Sequence, residues 1–426
     1  MRNGARKAMV ASPFRWFVAA VATLVFGGLL VSPFHSSERA LLAEPGLLYA
    51  FDHHPVLSRG LHLALHLAAL WLAAGLFERL PTLRAARLAL LLYAIHPLHT
   101  QSLASLEARP HLLAALLSLA ALRLWTRGHL WPALTFAIPA TLAAPAALAL
   151  PLVLWLWASP EDRRISAAPL GLLSGVGLAA LLHGFNPSAV SLTAPPVVLL
   201  QTLFHFLLPA GLSADPELRT APLAVALAAA VLVTFVYCLW RLKTAPRLWL
   251  ASALLGLVPA PLLINNTAVP AGAAPHAALA LLFLCGAAGW LLAQADARLL
   301  APAAALFAVV TLLQVHTWQS ERAVWLDAVR AAPRKASPRL RLAPLVEPRF
   351  ALELLEQARR DTPDDPALAL EFAAALARAG RPVHAAVEWE MARRLSGCAP
   401  SLRLRLNQLT PAGQPQPCLN SPEPSH

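Results

Sequence analysis

Up to Trp318 the chain is built of long alanine, leucine and valine runs broken by short polar clusters; beyond it, charged residues alternate with apolar ones to the end. About 20 apolar residues rising 1.5 Å each cross a bilayer core of about 30 Å. The stretches 14–34, 222–240, 275–294 and 299–316 meet that length most clearly. The full pattern predicts about eleven crossings, near 14–34, 61–79, 87–104, 111–126, 129–143, 145–158, 167–183, 221–240, 248–264, 275–293 and 299–316. The pair between Leu130 and Ala158 also reads as a re-entrant hairpin buried in protein, and Pro196–Leu208 as a juxtamembrane or re-entrant helix. The expected fold class is all-α: a polytopic membrane bundle over 1–317, a helical domain over 318–410, and a disordered proline-rich tail over 411–426.

Residues 349–397 carry a helix-hairpin pattern of period 34. Ala369, Phe372, Ala373 and Leu376 lie on one helix, Gly380 marks the turn, and Ala385, Trp389 and Ala392 lie on the next. Ala351, Leu355 and Ala358 stand 34 residues before those last three, with Pro363 where such a unit closes. The pattern resembles a tetratricopeptide repeat; a generic helical hairpin is the plainer alternative. Trp325, Ala328 and Pro333 look like part of an earlier unit, but Pro338 and Pro344 interrupt the helix that should follow, because proline lacks the amide donor and clashes with the preceding turn. One repeat with fragments falls short of a self-supporting solenoid. The tail is therefore expected to pack on the bundle or be capped by Ser401–Leu409, and to contact a protein or peptide.

Composition agrees with burial in lipid: 58% of the 426 residues are hydrophobic and only 13% charged, with mean hydropathy +0.58, against about 25% charged in a soluble globule. The net charge of +12 invites a nucleic-acid reading. Its distribution argues for orientation instead. With the N-terminus in the cytoplasm, inward turns hold Arg2, Arg6, Lys7, Arg15, Arg79, Arg84, Arg87, Arg123, Arg127, Arg163, Arg164, Arg241, Lys243, Arg247 and Arg298, whereas outward loops hold Arg39, Arg59, Arg109 and Arg219. An odd number of crossings sends the C-terminal domain to the periplasmic or extracellular side. The first span reads as an uncleaved anchor, since Val31–Ser37 lacks a small-x-small cleavage site. Arginine greatly outnumbers lysine, as in GC-rich bacterial genomes, so the expected location is a bacterial inner membrane. Cys238 and Cys285 fall in spans as packing residues, while Cys398 and Cys418 could pair in an oxidising compartment or remain free thiols.

The polar segment that stands out is His96-Pro97-Leu98-His99-Thr100-Gln101, continuing to Arg109-Pro110-His111-Leu112-Leu113. Neutral imidazole is cheaper at membrane depth than carboxylate or ammonium. Such histidines could bind a metal or an anionic head group, or simply hydrogen-bond neighbouring turns.

This segment resembles, without a gap, a stretch found in membrane proteins that fuse a GT-C-type glycosyltransferase body to tetratricopeptide repeats, the bacterial relatives of the transmembrane-and-tetratricopeptide O-mannosyltransferases. In the same order, His62–Leu70, Leu207–Pro216 and Trp318–Pro333 are similar to other stretches of that family. The resemblance implies transfer of a sugar from a polyprenyl-phosphate donor on the outer membrane face. It also implies an acidic residue of the first outer loop as base or metal contact, and cationic groups that hold the carrier phosphate. On that reading Asp52 is the best carboxylate, chosen over Glu38 and Glu44; His96 and His99 join it as catalytic candidates, and Arg109 and His276 face the phosphate. A divalent metal is conceivable, but no ligand set can be assigned.

The departures fall on charged positions. Gln101 stands where the family has Glu and His111 where it has Asp; Ala143-Ala144-Pro145 replaces Ser-Lys-Glu, and Ala274-Pro275-His276 replaces Glu-His-Arg. Two readings follow: a working glycosyltransferase, or a catalytically degenerate scaffold (a pseudoenzyme) that meets protein partners through its repeat tail. A transporter is a third, although no Gly/Pro-broken pair of spans recurs in two related halves.

Overall fold

The computed structural model describes residues 13–43, 54–183, 194–209, 211–216, 222–241, 246–257, 278–397 and 406, and all regular structure among them is helical. The chain divides into two compact units, Met1–Ala214 with Leu218–Ser320, and Asp215–Glu217 with Glu321–His426.

The first unit begins with α1 (Pro13–Phe26), which tightens into a 3₁₀ turn at Gly27–Val31, and the short α2 (Ser36–Ala43). Next comes α3 (Pro55–Phe77), started by a proline whose missing amide hydrogen costs nothing in a first turn. Then follow α4 (Leu83–Ile95), α5 (His99–Ala104) and α6 (Arg109–Trp125). The expected span 87–104 is not one helix. Pro97 restricts the residue before it, and His96 is extended (φ −67°, ψ 128°), so the chain breaks between α4 and α5.

Further along lie α7 (Leu130–Ala143), α8 (Leu150–Trp157), α9 (Pro160–His183), α10 (Ala194–Leu207), α11 (Pro222–Arg241), α12 (Pro246–Leu257), α13 (Ala278–Leu292) and α14 (Ala297–Trp318). The stretch 145–158 is a 3₁₀ turn plus α8, and eight residues of helix reach only about 12 Å. Among the described residues, Pro13–Val31, Pro55–Phe77 and Leu300–Trp318 are long and apolar enough to cross a membrane.

The core forms where small residues let helices close. Helix α13 packs on both α4 and α12. A Cβ on Gly289 would stand 2.6 Å from the Ala89 methyl and 2.7 Å from the Ala85 carbonyl oxygen, so only glycine permits that approach. On the outside, Leu24, Leu172, Leu223, Val233, Leu306 and Leu313 are 63–79% exposed. Apolar surface of that extent is what a hydrocarbon solvent, not water, would cover.

The second unit contains α15 (Glu321–Ala331), α16 (Ala336–Leu342), α17 (Pro348–Asp361), α18 (Pro366–Arg378) and α19 (Pro382–Ser396). Helices α17, α18 and α19 all open on proline, and Asp365 caps α18 by accepting from the amides of Ala367 (2.9 Å) and Leu368 (3.1 Å). Helices α17 and α19 start 34 residues apart and bury equivalent positions: Ala351, Leu355 and Ala358 on one, Ala385, Trp389 and Ala392 on the other. Upstream, α16 is short and passes into a 3₁₀ turn at Ala343–Leu345, which contains Pro344. Leu406 is buried with Trp389, Ala369 and Ala373, and its carbonyl accepts the Trp389 indole hydrogen at 3.1 Å. Asp215, in the same unit, ion-pairs with Lys335 and accepts from the Ser337 hydroxyl.

Candidate functional site

Helix α3 is apolar except for Ser58, Arg59, His62 and His66. Ser58, His62 and His66 are spaced by four, which stacks them on one face; they and Arg59 are buried. Glu38 reaches the same place from α2. Arg59 holds it with both terminal nitrogens, Nη1 to Oε1 at 2.8 Å and Nη2 to Oε2 at 2.6 Å. The His35 amide donates to Oε2 at 2.8 Å and the Leu106 amide to Oε1 at 2.7 Å. The Glu38 side chain is 2% exposed and that of Arg59 0%. Burial pushes the Glu38 carboxyl upward, but the Arg59 hydrogen bonds and charge, with His35 and the Leu106 amide, outweigh it and leave the group below the ordinary carboxylate range.

Arg109, the first residue of α6, turns back onto α3. Its Nε donates to His62 Nε2 at 3.0 Å and its Nη2 to the Ser58 hydroxyl at 2.9 Å. A guanidinium can only donate, so His62 Nε2 is the acceptor. The ring hydrogen is therefore on Nδ1, which donates to the Leu103 carbonyl at 3.1 Å. One turn further along α3, His66 lies against the His99 ring, centroids 4.5 Å apart, and Tyr93 meets His99 edge-on at 4.8 Å. His99 Nε2 has no hydrogen-bond partner among the described residues.

His96 faces elsewhere. Its ring stacks on Phe206 at 5.0 Å and meets Phe307 at 5.5 Å. The Leu98 amide donates to its Nδ1, which leaves Nε2 to donate to the Phe206 carbonyl at 3.2 Å. Of the residues picked out in the sequence, His99 and Arg109 thus share the polar face of α3, His96 points toward α10 and α14, and Asp52 and His276 lie outside the described residues. Among the described residues, no three of His, Cys, Asp and Glu come together as metal ligands. Cys285 is a buried free thiol in α13, and Cys398 and Cys418 fall outside the described residues.

No protein family, characterised protein or solved structure matches this chain. Its chemistry therefore rests on its own geometry. Glu38 and Arg59 received no role in the sequence reading, where Glu38 was one of several loop carboxylates and Arg59 one of four outward arginines. The available signal was the Ser58, His62, His66 spacing, which marks one polar stripe on an otherwise apolar helix. As arranged, Glu38 cannot act as a base without giving up a bond to Arg59 or to an amide. The cluster is built to tie α2, α3 and the chain before α6 together.

Proposed function

We propose that the chain is a polytopic membrane protein with a GT-C-like bundle and a tetratricopeptide-like tail, and that it works as a scaffold whose Glu38–Arg59–Arg109 cluster locks the bundle. In this reading the arginine-rich end faces the cytoplasm of a bacterial inner membrane, and the tail meets a protein or peptide partner on the opposite side. The observation that carries it is the closed state of Glu38: both oxygens are engaged by charged or amide donors and the side chain is almost wholly buried. A general base must instead reach the proton it removes. The exposed leucines of α1, α11 and α14 support embedding in lipid, and the 34-residue offset of α17 and α19 supports the repeat-like tail.

A second reading keeps the enzyme. One carboxylate and two guanidinium groups converge directly after the first apolar helix, where the resemblance expects the acid and the phosphate contacts of a polyprenyl-phosphate-dependent glycosyltransferase. Purified full-length protein supplied with a polyprenyl-phosphate sugar separates the two. The scaffold reading expects neither turnover nor donor binding. Turnover that disappears in Glu38→Gln or Asp52→Ala establishes the enzyme and overturns the scaffold. A topology reporter fused after His426 reads the sidedness, and a cytoplasmic signal refutes the proposed orientation.

A further inference from the structure

The far ends of α3 and α6, away from Glu38, gather a second set of charges. Arg15, in the first turn of α1, ion-pairs with Glu78, the residue after α3. Arg79 donates to the Thr126 carbonyl just beyond α6. The Arg123 guanidinium, from the last turn of α6, lies against α3 in the space a Cβ on Gly75 would take. It is within electrostatic reach of Arg127, Glu78, Arg15 and Arg79. Around Arg123 there are therefore three further guanidinium groups and one carboxylate, which leaves three positive charges without a counter-charge inside the group. Arg15 Nε is a buried donor with no acceptor among the described residues. Beside it, the Arg15 guanidinium sits 5.3 Å over the Trp71 ring, and Trp16 lies 5.5 Å from Trp71. Both indoles are exposed, at 64% and 44%.

One carboxylate cannot balance four guanidinium groups, and the excess charge repels unless a further anion sits among them. We propose that this end of the bundle binds the phosphate of an anionic phospholipid, held by Arg15, Arg79, Arg123 and Arg127, with Trp16 and Trp71 at the headgroup level. Guanidinium groups grip phosphate oxygens bidentately, tryptophans favour the membrane interface, and basic pockets between membrane helices take lipid head groups. Glycine at position 75 makes the pocket by letting Arg123 lie flat in the groove between α3 and α6. The proposal rests on the bilayer reading above.

The test uses the full chain in detergent, with lipid binding read by native mass spectrometry for dioleoyl-phosphatidylglycerol against dioleoyl-phosphatidylcholine. The wild type is expected to prefer the anionic lipid, and each of Arg123→Gln and Arg127→Gln to lower that preference about fivefold. Arg298→Gln, at an exposed arginine outside the group, is expected to leave it unchanged. Arg127 is exposed, so its variant remains informative if Arg123→Gln does not fold. Equal binding of the two lipids by wild type, or an equal fall in Arg298→Gln, overturns the proposal. Inorganic phosphate alone raising the unfolding temperature as much as the anionic lipid also overturns it, because the ligand is then a soluble anion. Carbonate washing of membranes tests the bilayer reading separately. A chain released by the wash refutes that reading, whereas one retained without lipid preference refutes only the headgroup site.

Discussion

Replacing Arg59 with methionine removes both guanidinium bonds to Glu38, at 2.8 and 2.6 Å, while keeping most of the side-chain volume. Breaking a buried ion pair from one side costs about 3–5 kcal/mol, because the remaining charge is left in low dielectric. Here the His35 and Leu106 amides still donate to the carboxylate, so the low end, about 3 kcal/mol, is expected. In the wild type the Glu38 carboxyl lies below its ordinary value. Its stabilisation is therefore present above the unfolded pKa of about 4.3 and is lost as pH falls through the depressed folded value. In Arg59→Met burial, the largest influence on the group, is offset only by His35 and the Leu106 amide, so the folded pKa is expected to rise above the unfolded one. The sign reverses: the folded state binds the extra proton, and stability increases as pH falls, by at most about 1.4 kcal/mol per pH unit. Thermal unfolding in detergent between pH 5 and 8, followed by the fluorescence of the 12 tryptophans, measures both effects. The double variant Glu38→Gln with Arg59→Met is expected to recover most of the loss, since the buried carboxylate charge is removed together with its partner. An Arg59→Met protein within about 0.5 kcal/mol of wild type, with no new pH slope, would refute the buried lock.

Gly289→Leu is expected to force α13 away from Ala85 and Ala89; overpacking of about 1–3 kcal/mol or more appears as a lower unfolding temperature, and an unchanged one contradicts the close approach. Trp389→Ala removes a 3%-exposed side chain and its bond to the Leu406 carbonyl. The expected loss is about 3–5 kcal/mol, and Trp389→Phe isolates the hydrogen bond at about 1 kcal/mol; faster proteolysis of the tail in the full chain reads both. Hydrogen bonds from Arg393 and Arg394 pull the Glu390 carboxyl below the ordinary carboxylate range, so an NMR pH titration should find its midpoint below that of a free glutamate. Its pairs are on the surface, so Glu390→Gln should change stability by less than about 0.5 kcal/mol, and a larger change would mean the pairs are shielded from solvent.

Where structure follows local sequence, it could be read directly. The 34-residue offset between Ala351, Leu355 and Ala358 and Ala385, Trp389 and Ala392 marks the positions that α17 and α19 bury. The break at His96–Leu98 falls inside the stretch 87–104 that reads as one span by length, and the restriction proline places on His96 separates α4 from α5. The Glu38–Arg59 pair was illegible for another reason. Nothing local distinguishes Glu38 from Glu44 or Asp52; a carboxylate becomes special only when the third dimension brings it a guanidinium. Likewise Arg15, Arg79, Arg123 and Arg127 read singly as orientation signals, and their convergence depends on how the start of α1 meets the ends of α3 and α6.

The bonds to Glu38 come from parts of the chain that are synthesised at different times. Arg59 follows Glu38 by 21 residues, and Leu106 follows it by 68. The carboxylate can meet its guanidinium as soon as the start of α3 leaves the ribosome, long before the Leu106 amide exists. Neutralising Glu38 therefore need not wait for later helices, while the final amide clasp closes only after α4 and α5 have been made.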